Sequence, residues 1–176
     1  MKFLKTKLDG AFIIEPEKSE DERGLFSNVW NKKFFKKNNL NIHITEFNMV
    51  FNKKKGTIRG LHFQSAPYEG AKFVRCTRGR IWDVVLDLRS DSKTFKEWYG
   101  VELTSDNYKG NYVPEGCAHG YQTLVDNSEV FYINSQDYNP DFEKGINYAD
   151  PTFGMSFPLE VSIISKKDSS WPLFKL

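Results

Sequence analysis

The chain has 176 residues, of which 25 are Lys or Arg and 23 are Asp or Glu, so the formal net charge is only +2. This balance lacks the concentrated positive field that nucleic-acid binding usually needs, and we expect no nucleic-acid partner. The length suits one domain with a sizeable core, and the sequence contains no apolar stretch long enough to cross a bilayer, so we expect no membrane association.

Short runs of β-forming residues alternate with turn signals along most of the chain. In chain order, the predicted strands are residues 12–14, 45–51, 57–64, 73–77, 81–88, 99–103 and 130–135. A helix is predicted at residues 31–38, where asparagines at both ends offer caps, and a second short helix near residues 166–170. Many short strands at this spacing predict an all-β sandwich or barrel.

The predicted strand at residues 81–88 has two different faces. One face carries the apolar side chains Trp82, Val84, Leu86 and Leu88. The other face mixes Asp83 and Asp87 with apolar residues. Because side chains alternate across a strand, we predict that the first face is buried and that the second borders a polar cavity.

The only two cysteines, Cys76 and Cys117, lack the spacing of a disulfide framework or a zinc site. The first residues of the sequence also lack an export pattern. We therefore expect a cytoplasmic protein.

Two of the three histidines are the first candidates for chemistry. His62 lies in the segment RGLHFQ, and His119 lies in PEGCAHG. Imidazole is the side chain best suited to exchanging protons near neutral pH. For either histidine alone, a hydrogen-bonded structural role is the commoner one, so the neighbouring residues must decide.

The segment that contains His119 has the form P-x-G-x-x-H, which resembles the second motif of cupins, a double-stranded β-helix of the jelly-roll type. A metal-binding cupin would also present two histidines one residue apart in its first motif, whereas here Gln64 follows His62 on the same side of the strand. Catalytic metals usually need three protein ligands. We therefore expect no metal, and a metal-dependent cupin remains an alternative that would need a third ligand.

Seven segments, taken together and in order, resemble nucleotide-sugar epimerases of the dTDP-4-dehydrorhamnose 3,5-epimerase type. The segments are DERGLF at 21–26, RGLHFQ at 59–64, GAKFVR at 70–75, DVVLDLR at 83–89, SKTF at 92–95, PEGCAHG at 114–120 and ISKKD at 164–168. The resemblance implies a single domain over residues 1–176, an all-β cupin-type jelly roll with a few short peripheral helices. It also implies an isomerase that needs no cofactor.

The implied reaction converts dTDP-4-dehydro-6-deoxy-D-glucose to dTDP-4-dehydro-L-rhamnose by removing and returning protons at C3 and C5, next to the ketone. By the resemblance, His62 is the base, Asp168 orients it and Tyr132 is the acid on the far face of the ring. Lys72 would stabilise the enolate. The ordinary alternatives are a helix-capping aspartate, a core tyrosine and a surface lysine.

The resemblance also assigns substrate-binding positions, which share a polar, aromatic or basic character. They are Arg23, Phe26, Asn28, Glu46, Asn48, Arg59, His119, Tyr138, Glu143 and Lys167. Arginines suit bidentate contact with the diphosphate. The family forms dimers in which an N-terminal segment, here about residues 1–30, crosses to the partner, so we expect a homodimer in which Arg23 and Phe26 complete the other protomer's site.

The chain departs from the family pattern near the nucleotide. Asn28 stands where a glutamate is usual and Glu46 where a glutamine is usual, which exchanges hydrogen-bond donors and acceptors. Asp137 replaces one of two adjacent tyrosines, and Tyr148 replaces a tryptophan. A nucleotide other than thymidine, epimerisation at one centre alone and a ketoisomerase reaction therefore remain alternatives. A non-catalytic sugar-binding jelly roll is the alternative from another class.

Strict alternation along one strand would place Arg59 and His62 on opposite faces. Gly60 lies between them, and a glycine inside a strand often marks a bulge. We therefore predict a bulge at Gly60 that turns both side chains towards one cavity.

Overall fold

The computed structural model describes residues 1–41 and 43–174. The strands are β1 (Lys2–Lys5), β2 (Phe12–Glu15), β3 (Lys18–Asp21), β4 (Gly24–Ser27), β5 (Glu46–Asn52), β6 (Ile58–Gln64), β7 (Lys72–Arg78), β8 (Arg80–Asp87), β9 (Trp98–Thr104), β10 (Gly110–Val113), β11 (Cys117–Thr123), β12 (Ser128–Asn134) and β13 (Glu143–Gly145). The helices are α1 (Lys32–Lys37) and α2 (Lys166–Ser169). All seven predicted strands and both predicted helices are present within a few residues of their predicted bounds, whereas β1, β3, β4, β10, β11 and β13 had not been predicted as strands.

Two antiparallel sheets form the body of the protein, which confirms the predicted all-β, cupin-type jelly roll. The six-stranded sheet has the order β1-β2-β10-β7-β12-β5, and the five-stranded sheet has the order β13-β6-β11-β8-β9. Strands β3 and β4 form a separate hairpin. Among the described residues, neither helix has the length and apolar character that a bilayer span requires.

The core lies in three layers. Between the sheets, buried side chains from both sheets pack together, including Val74 and Val130 from one and Ile81 and Leu103 from the other. The outer face of the six-stranded sheet is covered by Phe35 of α1, whose ring lies 5.4 Å from that of Phe73. The outer face of the five-stranded sheet is covered by the C-terminal segment (residues 146–174), through Ile146 and Phe153.

Strand β8 is therefore buried on both faces. The apolar face is covered by the C-terminal segment, as predicted. The mixed face points between the sheets, where Asp83 and Asp87 are both fully buried. Buried carboxylates need hydrogen-bond partners, and Asp87 finds them in Arg89, Ser92 and Thr94.

Both helices begin at a capping side chain. Asn31 accepts hydrogen bonds from the backbone N–H groups of Lys33, at 3.0 Å, and Phe34, which satisfies donors that the first turn leaves free. The hydroxyl of Ser165 accepts from the N–H of Asp168 at 2.9 Å. Asp168 itself is thus not the cap of α2, and its carboxylate is available for another contact.

The predicted bulge at Gly60 is confirmed. In the pairing of β6 with β11, His62 faces His119 while Arg59 faces Tyr121, so two residues of β6 oppose one residue of β11. Gly60 has φ of +101°, a conformation that side-chain-bearing residues rarely adopt. The extra residue restores Arg59 and His62 to the same side, and both line one cavity.

Replacing Gly60 with alanine should destabilise the protein. The added Cβ would lie 2.6 Å from the carbonyl oxygen of His119 and 2.8 Å from the Cα of Gly120, both of them backbone atoms. We expect the free energy of unfolding to fall by roughly 2 kcal/mol or more in denaturant titrations. Gly154→Ala is the control, because Gly154 has φ of +58° but open space around it. Equal losses in the two variants would contradict a steric role for Gly60.

Candidate active site

Two adjoining cavities, each of about 410 Å³, open between the sheets. Both are lined by His62 of β6, Lys72 of β7 and Tyr132 of β12. The first is also lined by Glu46, Asn48, Gln64, Asn134, Gln136, Tyr138 and Glu143, and the second by Arg59, His119, Tyr121, Lys167 and Asp168. The jelly roll thus brings a base, a phenol and an ammonium group from both sheets to one space.

The imidazole of His62 is held by Asp168. Its Nε2 lies 2.6 Å from Oδ1 of Asp168, and the other carboxylate oxygen accepts the N–H of Gly60 at 3.1 Å. Burial by itself raises the pKa of this carboxyl group. The hydrogen bonds from His62 and Gly60 lower the pKa by more than burial raises it, so the net shift is downward. Because an ionised carboxylate only accepts, Nε2 carries the proton and Nδ1 is free to act as the base.

Lys72 is half-buried and lines both cavities. Burial lowers the pKa of its ammonium group to about 8, although the negative charges of Asp83 and Glu143 oppose the shift. Among residues 1–41 and 43–174, no carboxylate lies within ion-pair distance of this nitrogen. Within the described residues, Lys72 is therefore a cation without an anionic contact in the wall of both cavities.

Tyr132 lies on the inner face of β12, across the cavities from the five-stranded sheet that carries His62. Burial raises the pKa of its hydroxyl group, and the negative charge of Glu46 adds to the shift, while Arg59 opposes it. The phenol therefore stays protonated near neutral pH. In that state it can donate a proton or a hydrogen bond.

His119 is anchored by a chain of buried hydrogen bonds that sequence reasoning did not find. Its Nε2 lies 2.8 Å from Oδ1 of Asp83, whose Oδ2 accepts the side-chain amide of Asn111, also at 2.8 Å. The amide oxygen of Asn111 accepts the hydroxyl of Tyr99. The mixed face of β8 had indicated a polar cavity, but only the packing of the two sheets against each other reveals that Asn111 of β10 completes the chain of hydrogen bonds.

Arg59 is held in place by a buried amide. Its Nε donates to Oδ1 of Asn52 at 2.8 Å, and Asn52 is almost fully buried. This contact leaves the two terminal nitrogens of the guanidinium group, which suit a phosphate. Sequence reasoning singled out Arg59 but not Asn52.

Glu46 does not present a free carboxylate to the cavity. It accepts hydrogen bonds of 3.0 Å from the amides of Asn48 and Asn134 and from the backbone N–H of Tyr138. These bonds, led by that from Asn48, lower the pKa of Glu46, although burial opposes the shift. Glu46 therefore ties β5, β12 and the following loop together, and it orients Asn48, another predicted binding residue.

Glu143, Tyr138 and Lys167 meet at the mouth of the site. The hydroxyl of Tyr138 donates to the carboxylate of Glu143, which also forms an ion pair with the ammonium of Lys167. Burial raises the pKa of Glu143, but the contacts with Lys167 and Tyr138 outweigh it and lower the pKa overall. This cluster joins α2 to β13 beside the bond between His62 and Asp168.

Three predicted binding residues lie elsewhere in the described part of this chain. Arg23 and Phe26 belong to the β3–β4 hairpin, and Asn28 follows it. The Arg23 side chain is 85% exposed and pairs with Asp21, and Phe26 is 73% exposed. None of the three lines either cavity, so their assigned role stays a prediction that requires a second protomer.

The two histidines of the cupin-like motifs are each bonded to a different aspartate through Nε2. Within residues 1–41 and 43–174, no three His, Cys, Asp or Glu side chains are grouped to hold a metal ion. The third ligand that a metal-dependent cupin needs near His62 and His119 does not occur in that part of the chain.

Known proteins match this chain almost from end to end. The family model described as dTDP-4-dehydrorhamnose 3,5-epimerase matches residues 5–175. The dTDP-4-dehydrorhamnose 3,5-epimerase of Methanothermobacter thermautotrophicus is 43% identical over 173 residues, which is 97% of this chain and 92% of the relative. The chain belongs to the dTDP-4-dehydrorhamnose 3,5-epimerase family. It is accordingly an enzyme, an isomerase, as the seven segments had predicted.

Solved structures of the family agree with the fold. The Bacillus anthracis epimerase, crystallised with TDP and PPi, superimposes with a TM-score of 0.95 at 36% identity and covers 98% of this chain and 99% of its own. The Legionella pneumophila enzyme, in complex with dTDP-4-keto-L-rhamnose, gives a TM-score of 0.91 at 32% identity, with coverage of 98% and 92%. The cavities described above thus belong to a fold in which nucleotide and sugar complexes are known.

Replacing Lys72 with methionine should stabilise the fold and remove activity. Because the ammonium is held with a lowered pKa, its charged form is disfavoured in the folded state, and stability rises with pH between about 8 and the higher pKa of the unfolded chain. Methionine fills similar volume without that penalty, so we expect a gain of roughly 1 kcal/mol at pH 7 and a loss of this pH dependence. Denaturant titrations at pH 7 and pH 10 would measure both, and lower stability at pH 7 would contradict the interpretation.

Proposed function

We propose that this enzyme inverts C3 and C5 of dTDP-4-dehydro-6-deoxy-D-glucose to give dTDP-4-dehydro-L-rhamnose, with His62 as the base and Tyr132 as the acid. The observation that carries this assignment of roles is that an oriented imidazole and a protonated phenol, from opposite sheets, line the same cavities. Inversion requires groups on both faces of a ring, because the proton must leave from one side and return from the other.

Nδ1 of His62 accepts the proton from carbon, and the electron pair of the broken C–H bond moves into the enolate. Asp168 stabilises the imidazolium that forms and fixes the ring. The hydroxyl of Tyr132 then gives its proton to the opposite face of the same carbon, which restores the ketone with inverted configuration. Solvent reprotonates Tyr132 and removes the proton from His62.

The enolate places negative charge on the C4 oxygen, and Lys72 is the group suited to meet it. Its ammonium group has no ion-pair partner within the described part of the chain, and it is half-buried in the wall of both cavities. Such a charge interacts more strongly with the transition state than with the neutral ketone, and only an interaction of this kind accelerates the reaction. His119, fixed by Asp83, supplies a further polar contact beside it.

The diphosphate belongs with the cavity that carries Arg59 and Lys167. The terminal nitrogens of Arg59 can bind two phosphate oxygens at once. The other cavity, lined by Asn48, Gln136 and Tyr138, offers amides and an aromatic ring. Those groups suit the hydroxyl groups of a sugar and the flat ring of a nucleobase. Titration with several nucleoside diphosphates would identify the nucleobase.

Deuterium exchange tests the two roles separately. In D2O, the wild-type enzyme should incorporate deuterium at C3 and C5 of dTDP-4-dehydro-6-deoxy-D-glucose with inversion. Tyr132→Phe should still exchange protons through His62 but return them to the same face, so exchange persists while inverted product falls by about 10²-fold or more. His62→Gln should lose both. Mass spectrometry and NMR of the products would show this, and full inversion by Tyr132→Phe would refute its role as the acid.

We also propose that the enzyme is a cytoplasmic homodimer. Cys76 and Cys117 are both free and buried, as is usual in a reducing compartment. The edge strand β5 exposes Phe47 and Met49, at 61% and 66%, on the outer face of the six-stranded sheet, beyond the part that α1 covers. An edge strand offers unpaired backbone groups to another chain, and exposed apolar side chains beside it are typical of an interaction surface.

A second copy would cover that edge with the β3–β4 hairpin, whose two strands pair only with each other among the described residues of one chain. The hairpin carries the exposed Phe26, which supplies an apolar group for the interface. Such an exchange would carry Arg23 to the partner's cavities. The site of each protomer would then contain residues of both chains.

Co-expression of two inactive variants tests this arrangement. Arg23→Ala and His62→Gln should each be inactive or nearly so when expressed alone. If Arg23 serves the partner's site, a mixed dimer contains one site with both residues intact, and activity returns. If Arg23 serves its own site, every site in the mixture lacks one residue and activity does not return. Sedimentation would confirm that both variants remain dimeric.

A further inference from the structure

The indole of Trp171 packs against Gly145, next to His62, in the space that a side chain at position 145 would fill. Strand β13 pairs with β6 so that Gly145 faces His62 directly. A Cβ built on Gly145 would lie 2.2 Å from Cε2 of the Trp171 indole, so the ring lies where a side chain at position 145 would begin. Only glycine leaves room for it.

The indole contacts the catalytic imidazole edge to face. The ring centroids of Trp171 and His62 are 6.3 Å apart and the planes meet at 72°, which is a favourable arrangement for two aromatic rings. Asp168 contacts the same imidazole through Nε2 from three residues earlier in the chain. The C-terminal segment thus contacts His62 with both a carboxylate and an aromatic ring.

Other contacts fix the indole in this position. The side-chain amide of Asn147 donates to the carbonyl oxygen of Trp171 at 3.2 Å, and the ammonium of Lys167 lies 5.8 Å from the ring centroid. The indole N–H is buried and has no hydrogen-bond partner among the described residues. The ring is therefore placed by packing against Gly145 and His62 and not by a bond of its own polar atom.

We propose that Trp171, by packing against Gly145, is a positioning residue. Its indole fixes the plane of the His62 imidazole and shields the hydrogen bond between His62 and Asp168 from water. The inference rests on the proposed role of His62 as base. Without the indole, water can enter beside the imidazole, compete for the carboxylate and let the ring rotate. Nδ1 would then spend less time aimed at the substrate, and Nε2 would no longer be the sole site of the proton.

The chain contains a matched control for this arrangement. Trp82 packs against Gly100 in the same way, since a Cβ at Gly100 would lie 2.3 Å from Cε2 of the Trp82 indole, and its indole N–H is likewise buried without a partner in the described chain. Trp82 lies on the outer face of the five-stranded sheet and lines neither active-site cavity. Its removal tests the loss of packing alone.

Two measurements on Trp171→Ala, Trp171→Phe and Trp82→Ala test the proposal. In Trp171→Ala, kcat should fall by about tenfold or more while KM stays close to the wild-type value. Trp171→Phe should recover much of the loss because an aromatic ring remains. Nitrogen-15 NMR should show His62 with its proton on Nε2 in the wild type and in Trp82→Ala, and a mixture of forms in Trp171→Ala. Only three histidines need to be assigned.

The proposal is overturned if folded Trp171→Ala keeps the wild-type histidine spectrum and a kcat no lower than that of Trp82→Ala. If Trp171→Ala does not fold, Trp171→Leu is judged by the same two criteria. The spectrum needs no substrate, so it still decides the placement of His62 if the wild-type enzyme proves inactive on the dTDP sugar. Inactivity of the wild-type enzyme would count against the proposed function and not against the placement of His62 by Trp171.

Discussion

The carboxylate of Asp168 is the contact on which the site depends. One of its oxygens meets Nε2 of His62 and the other accepts the N–H of Gly60, so a single group holds both the imidazole ring and the bulge that directs it. The partners lie more than 100 residues apart in sequence. Because Ser165 caps α2 and Asp168 lies in the first turn of that helix, the C-terminal segment is part of the candidate active site.

The strands that could be predicted are those with apolar, β-forming sequences, such as β8, which is buried on both faces. The strands that were missed owe their form to pairing. Strand β3 reads KSED and is exposed throughout, and β11 reads CAHGYQT, with small residues of low strand propensity, yet all seven are buried. Position between two other strands, and not composition, makes β11 a strand, and that position is not visible in a local sequence pattern.

The site divides in a similar way. Family resemblance supplied His62, Tyr132 and Lys72, and the geometry of alternation supplied the bulge, because each leaves a mark in the local sequence. Asn111 and Trp171 left no such mark, since their contacts come from the packing of one sheet on the other and from a glycine in another strand. Local sequence patterns therefore identify candidate reactive residues more easily than they identify the residues that hold those side chains in place.

The carboxylates around the cavities have partners in the protein, whereas the ammonium of Lys72 has none among the described residues, and this difference matters for the proposed reaction. Asp83, Asp168 and Glu143 each accept at least two hydrogen bonds or ion pairs from the protein. The ammonium of Lys72 has neither kind of contact within residues 1–41 and 43–174. These carboxylates therefore have hydrogen-bond or ion-pair partners in the protein, and the ammonium of Lys72 has none in the described part of the chain. In the proposed reaction, a neutral ketone interacts weakly with this ammonium group and an enolate oxygen interacts strongly, so the stabilising interaction would arise only as the proton leaves carbon.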